Sequence, residues 1–362
     1  MNMTSTNNCE DCSANIGRGS LWFSRSRSSK LFHCPTCNKS ICSKCANDQA
    51  LIPYTPNNNE EPISIQKSSI KCYCKSCYQT ISTLDYNRTY DVIEPAADYK
   101  DDNENENTNT TTLIWVHGGG GCRSMFHPHA KLLSKQGYRS ILIDLPGHGT
   151  LVDMELTLDE CVDTVQRILH KECTPSQKII YIGGSLGAYI GFYVLEKLNA
   201  QFAVAVLIDC GQNVGPDCSL KARLGIWFLR KLSNKLSNKA LMAAMIGTVK
   251  KSNADYHLAE TTFGAGYFFQ QGEAQCDCMH TVAPSKIIPN LNFPILFFNG
   301  SEDYRDSEDV WLSLCKHKEL STLKVYEGGD HFFCHDSRFV HDMLERIDRF
   351  TQTVLSHSAD AS

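Results

Sequence analysis

From residue 113 onward, short wholly apolar runs alternate with helix-length segments, and this alternation constrains the fold more than any other feature. Strands are expected at 113–116, 140–144, 178–182, 203–209, 294–298 and 323–326, and helices at 125–136, 158–171, 186–198, 307–315 and 337–354. A strand with no polar alternation must be covered on both faces. The chain therefore reads as α/β, with a mostly parallel sheet between helical layers. From 211 to 285 the alternation fails. That stretch is helix-like and aromatic, carrying Trp227, Phe228, Phe263, Tyr267, Phe268 and Phe269, and reads as an inserted helical cap.

The rest of the chain is organised differently. At 362 residues it has length for roughly two domains. Residues 86–112 include an acidic, Asn-rich run with almost nothing apolar to bury, and read as a linker between an N-terminal domain (1–85) and the domain at 113–362. Residues 1–90 hold ten Lys and Arg against six Asp and Glu, a balance of +4 that leaves −9 of the total −5 to the remainder. An anionic partner is therefore expected of the N-terminal part alone, and no nucleic acid is expected as a partner.

The chemistry is concentrated in the alternating region. Gly183-Gly184-Ser185-Leu186-Gly187 places a G-x-S-x-G between an apolar strand and a helix. Its glycines permit the sharp turn that presents a serine hydroxyl at the carboxyl edge of a sheet. The motif alone is weak, because glycines and serines also mark plain turns; the strand and helix around it give it meaning. A serine hydroxyl needs a base, and the base an acid to hold its tautomer. Two late strands end in Gly300-Ser-Glu-Asp303 and Gly329-Asp-His331, which nominate Asp303 and His331. Glu302, Asp306, Asp330 and Asp209 compete for the acid's place, and a surface loop histidine is the plain reading of His331. His117-Gly-Gly-Gly-Gly121 follows the first strong strand and nominates the Gly119 N–H as an oxyanion donor beside that of Leu186. A phosphate-cradling loop would need a following Lys-Ser/Thr, which this run lacks.

These motifs resemble the α/β-hydrolase superfamily. His117-Gly-Gly-Gly, Asp144-Leu-Pro-Gly-His148-Gly, Gly183-Gly-Ser-Leu-Gly187, Asp303 and His331 stand in the family's order over 113–355. The resemblance implies Ser185 as nucleophile, His331 as base and Asp303 as its acid. His148 reads as a loop anchor. It also implies hydrolysis of an ester or thioester, because the epoxide- and haloalkane-hydrolase branches carry an Asp where Ser185 stands. The aromatic cap suggests a lipid or other apolar acyl group. No cofactor is expected for catalysis.

Nine of the eighteen cysteines lie before residue 78. Eight form C-x-x-C pairs: Cys9 and Cys12, Cys34 and Cys37, Cys42 and Cys45, Cys74 and Cys77, with Cys72 a ninth thiol nearby. Eight thiolates can close two tetrahedral zinc sites in a segment too small and polar to fold on its core. The spacing resembles the FYVE zinc fingers. In that cross-brace Cys9, Cys12, Cys42 and Cys45 would hold one zinc, and Cys34, Cys37, Cys74 and Cys77 the other. FYVE domains bind a phosphoinositide through a basic, double-histidine motif, whose place is taken here by Ser29-Lys-Leu-Phe-His33. Trp22 and Phe23, bracketed by Arg18, Arg25 and Arg27, either meet an anionic membrane or pack on the zinc core. Cys276-Asp-Cys278-Met-His280 has ligand types but stands alone in the cap and reads as packing.

No signal segment or membrane-spanning run is visible, so a cytoplasmic protein is expected, with peripheral placement on endosomal membranes implied by the finger. The competing reading is a non-catalytic adaptor, binding lipid or protein, built on a hydrolase scaffold.

Overall fold

The computed structural model describes residues 31–34, 39–42, 45, 50–51, 71–72, 74, 89–97, 99, 111–249, 251–252, 254 and 268–360. In the N-terminal part, β1 (Leu31–His33) pairs antiparallel with β2 (Ser40–Cys42), and β3 (Ala50–Leu51) with β4 (Lys71–Cys72). Cys34 and Cys74 are buried and Cys45 is half-buried, whereas Cys9, Cys12, Cys37 and Cys77 lie outside the described residues.

The large sheet has seven strands: β5 (Tyr90–Ile93), β6 (Thr112–Val116), β7 (Arg139–Ile143), β8 (Ile179–Gly184), β9 (Val204–Ile208), β10 (Ile295–Gly300) and β11 (Thr322–Tyr326). Their order is β11-β10-β9-β8-β6-β7-β5. Every pairing is parallel except that of β5 with β7. Strand alternation divides the core in two. Ile114, Tyr181, Leu207 and Phe297 face a layer with α2 (Leu158–Glu172) and α3 (Leu186–Lys197). Trp115, Ile182, Val206 and Phe298 face α1 (His127–Ser134) and α9 (Val340–Asp360). At the start of α2 the Glu160 N–H donates to Thr157 Oγ1 at 3.2 Å, satisfying one of the amides that a helix start leaves without a partner.

The sheet begins earlier than 113. Tyr90–Ile93, inside the expected linker, is its antiparallel edge strand, in register Tyr90 to Ile143 and Ile93 to Ser140. The run has only four residues and its partner lies some fifty residues on, so no local pattern announces it. Tyr90 and Val92 pack on the core, and Asp91 accepts from Arg123 Nε at 3.1 Å and meets His127 Nε2 at 2.8 Å.

Between β9 and β10, where the cap was expected, lie α4 (Leu220–Lys235), α5 (Asn238–Val249), α6 (Gly272–Thr281) and the single turn α7 (Pro284–Ile287). Helix α4 packs along α6 through Ala222 and Ile226, and Ser219 caps it by accepting the Ala222 N–H at 3.2 Å. Lys239, at the start of α5, lies over the Phe32 ring of β1. The sheet is completed by α8 (Glu308–Leu314), between β10 and β11. Among the described residues no helix is long and apolar enough to cross a membrane.

Candidate active site

Ser185 sits between β8 and α3 with φ +48° and ψ −113°, a conformation a non-glycine residue holds only when its surroundings enforce it. The enforcement is close packing. Its N–H donates to the Ile208 carbonyl at 2.8 Å, anchoring the turn to β9. A side chain at Gly183 would come within 2.6 Å of the Gly187 carbonyl, and one at Gly187 would collide with the Val116 carbonyl. The two glycines let strand and helix approach closely enough to make so sharp a turn.

The loops after β10 and β11 reach the same edge. Ser185 Oγ lies 3.1 Å from His331 Nε2, and His331 Nδ1 lies 2.7 Å from Asp303 Oδ2. With Nδ1–H donating to the carboxylate, Nε2 is left to accept the serine proton. The structure thus brings together all three residues nominated from sequence. Of the rival acids, Asp306 is engaged elsewhere, its Oδ1 accepting from the Asn213 N–H and the Ser307 hydroxyl. Asp330 turns an oxygen to the Phe332 N–H at 2.8 Å.

Asp209 does belong to the cluster. It follows β9 with φ +55°, is buried, and offers an oxygen within 4.8 Å of the ligand atoms of both Asp303 and His331. Its Oδ1 has no hydrogen-bond partner. Burial drives its carboxyl well above the usual range, with the neighbouring acids adding to the rise. For His331, burial pulls the pKa down, but the Asp303 hydrogen bond and the charges of Asp209, Asp303 and Asp330 outweigh it and raise the ring to about 9. The His331 side chain is 42% exposed, so solvent screens its partners, and Asp209 adds charge only to the extent that burial leaves it ionised. His331 therefore sits above 6.5.

Gly119 and Leu186 lie side by side next to Ser185: a Cβ on Gly119 would be 3.7 Å from the Leu186 Cβ. Leu186 is the first residue of α3, whose N–H has no acceptor within the helix. The helix N-terminus adds positive potential at the same point. The loop carrying Gly119 is pinned by two buried histidines. His117 Nε2 accepts the Leu145 N–H at 3.0 Å while Nδ1 donates to the Gly118 carbonyl. His148 Nε2 accepts the Gly120 N–H at 3.4 Å while Nδ1 donates to the Pro146 carbonyl. Burial lowers the two to about 4 and about 3 respectively, so both are neutral fasteners.

A cavity of about 320 Å³ opens over Ser185, lined on the cap side by Leu229, Met245, Phe269 and Met279 and on the sheet side by Met125 and Phe332. Among the described residues Gln275 is the one buried polar side chain that the cap sends into it, held by a 2.9 Å bond to the Phe268 carbonyl. Nothing in the sequence marked Gln275, because it lies where the alternation fails. A larger depression, about 1080 Å³, lies at the opposite edge near Lys178, Ala203 and Pro294, away from these groups.

A family model described as "Alpha/beta hydrolase family" matches residues 113–343. The chain belongs to the alpha/beta hydrolase family. No curated protein matches the sequence. Among solved structures with this fold is a thermophilic esterase from Thermogutta terrifontis, 16% identical with a TM-score of 0.55, covering 73% of this chain and 93% of its own. A peroxisomal alpha-beta-hydrolase from Saccharomyces cerevisiae is 16% identical with a TM-score of 0.52, covering 76% and 85%. A bacterial membrane phospholipase A is 16% identical with a TM-score of 0.54, covering 73% and 83%. At these identities the likeness is one of fold within the family.

Proposed function

We propose that the protein is a serine hydrolase that cleaves an ester or thioester of an apolar acyl group through an acyl-enzyme. The observation that carries the reading is the continuous relay from Ser185 Oγ through the His331 ring to Asp303 Oδ2, at 3.1 and 2.7 Å. As Oγ attacks the acyl carbon, His331 Nε2 takes its proton, and Asp303 steadies the imidazolium without being protonated. The carbonyl electrons move to oxygen, which the Gly119 and Leu186 N–H groups receive. Collapse of that oxyanion breaks the bond to the leaving alcohol or thiol, which His331 protonates. Water then loses its proton to His331, attacks the acyl-enzyme, and releases the acid as Ser185 regains its proton. The methionine- and aromatic-lined cavity supports an apolar acyl chain.

Fluorophosphonate labelling tests this directly: the wild type is expected to label at Ser185 and Ser185→Ala not at all. An unlabelled wild type would return the fold to a non-catalytic adaptor.

The N-terminal cysteines extend the proposal to a double-zinc module that brings the hydrolase to a membrane or partner. Cys34 and Cys74, nominated for one site, are both buried, and thiolates are the donors zinc prefers. Zinc bound there would supply folding energy alone and take no part in the hydrolysis. Elemental analysis is expected to return two zinc per chain.

A further inference from the structure

Eight large apolar side chains are strongly exposed among the described residues, and five of them fall within ten residues of helix α4. Leu220, Leu224, Trp227 and Phe228 are 71%, 58%, 57% and 59% exposed. At 100° per residue they share an arc of roughly 100°, opposite Ala222 and Ile226, which pack on α6. The outward face of a helix in a folded domain is ordinarily its polar one. Here it is apolar, and the cations lie around it: Lys221 and Arg223 on its two flanks, Lys231 and Lys235 on the same face further along, all exposed.

The charge pattern names the partner. Residues 220–251 contain eight Lys and Arg (Lys221, Arg223, Arg230, Lys231, Lys235, Lys239, Lys250, Lys251) and no Asp or Glu, in a chain whose net charge is −5. On α4 itself Arg230 pairs with Glu273 and Asp277, whereas among the described residues Lys221, Arg223, Lys231 and Lys235 have no carboxylate within 4.0 Å. An apolar stripe with an indole, edged by cations that no acid answers among the described residues, fits the boundary of an anionic lipid layer, where the rings enter the acyl region and the lysines meet headgroups. A second copy of the chain fits less well, since a symmetric contact would set two unopposed lysine rows face to face. The acidic run at 98–112 has the charge but almost no apolar residues to cover the stripe.

We propose that α4 is a membrane-contact helix, seating the cap on an anionic lipid surface. Leu229, on the same helix, lines the cavity over Ser185, so a seated α4 holds the cavity wall at the lipid. The inference does not depend on the chemistry of Ser185.

The test is co-sedimentation of the full chain with vesicles of phosphatidylcholine alone or mixed with phosphatidylserine. Binding is expected only to the mixed vesicles and is expected to weaken with salt. Each neutralised lysine is expected to weaken partitioning about fivefold, from the roughly 1 kcal/mol a basic residue near such a surface contributes. Lys221→Gln/Lys231→Gln/Lys235→Gln should therefore lose on the order of a hundredfold. Trp227→Ser/Phe228→Ser should lose binding while its circular dichroism melt stays as in the wild type. Undiminished binding by both variants would overturn the proposal, as would a wild type that ignores the mixed vesicles. So would a wild-type dimer that Trp227→Ser/Phe228→Ser dissociates, which would make a second copy the occupant. A wild type that binds vesicles but fails to label with fluorophosphonate would retain this inference and sink the hydrolase reading.

Discussion

His331, on the loop after β11, and the pair His117 and His148, on the loops after β6 and β7, stand at the same edge of the sheet in opposite surroundings. His331 is exposed and has a carboxylate at 2.7 Å, which raises its pKa. His117 and His148 are wholly buried, bond only to backbone, and have their pKa values lowered. All three lie within two residues of a glycine, so the residue and its neighbours in sequence do not separate a proton carrier from a fastener. Burial and the partner on Nδ1 do. The first prediction breaks the contrast at its strong end. His331→Ala should remove ester turnover with the melting temperature unchanged, and Asp303→Asn should lower kcat about 10⁴-fold by favouring the wrong tautomer. Steady-state assay beside thermal unfolding checks both, and near-normal turnover in either variant would dismantle the relay.

The same contrast explains what could be read from the residues. Ser185, His331 and Asp303 were legible because each closes an apolar strand, a local signal tied to the fold's edge. Asp303 was nominated over Asp330 by its place after β10, and its 2.7 Å approach to Nδ1 supplies the contact that spacing cannot. Tyr90–Ile93 was hidden because its evidence is a long-range pairing with β7 and the Arg123–Asp91 ion pair. Gln275 was hidden because the cap follows no period. The double-zinc assignment rests on Cys9, Cys12, Cys37 and Cys77 as much as on the cysteines described, and its measure is metal content.

Buried histidines also shape stability. Among the described residues His117, His129, His148 and His335 are fully buried, and burial lowers the pKa of each. A folded-state pKa below the unfolded 6.5 means that the unfolded chain binds more protons, so stability is full above 6.5 and drains as pH falls toward about 4. One unit below 6.5, four such groups cost on the order of 5 kcal/mol, comparable with a whole domain's stability. His331, with its raised pKa, has the opposite sign: its contribution is present below 6.5 and lost as pH rises toward about 9. Unfolding midpoints in urea across pH 7 to 4 should fall steeply, and a flat profile would mean that these rings charge without unfolding the domain.

A smaller effect isolates one fastener. His148→Ala leaves the Gly120 N–H and Pro146 carbonyl without their partner and opens a void beside His117, at a cost of roughly 2–4 kcal/mol. The urea midpoint should drop accordingly, while fluorophosphonate still labels Ser185 below the transition. Loss of labelling in a folded variant would move His148 from fastener to participant.

The last test separates the two acids beside His331. Asp303 donates its effect through a direct bond, and an ionised partner raises the pH at which His331 gives up its proton and can act as base. Turnover should therefore rise with pH along a limb above 6.5, and Asp303→Asn should move the residual limb down. Asp209 lies within 4.8 Å of the same ring, but burial favours its neutral form, and a neutral carboxyl and a carboxamide exert the same absence of charge on the ring. Asp209→Asn should leave the limb where it stands in the wild type. A downward shift matching that of Asp303→Asn would mean that Asp209 is ionised in the working enzyme, and that two carboxylates share the histidine.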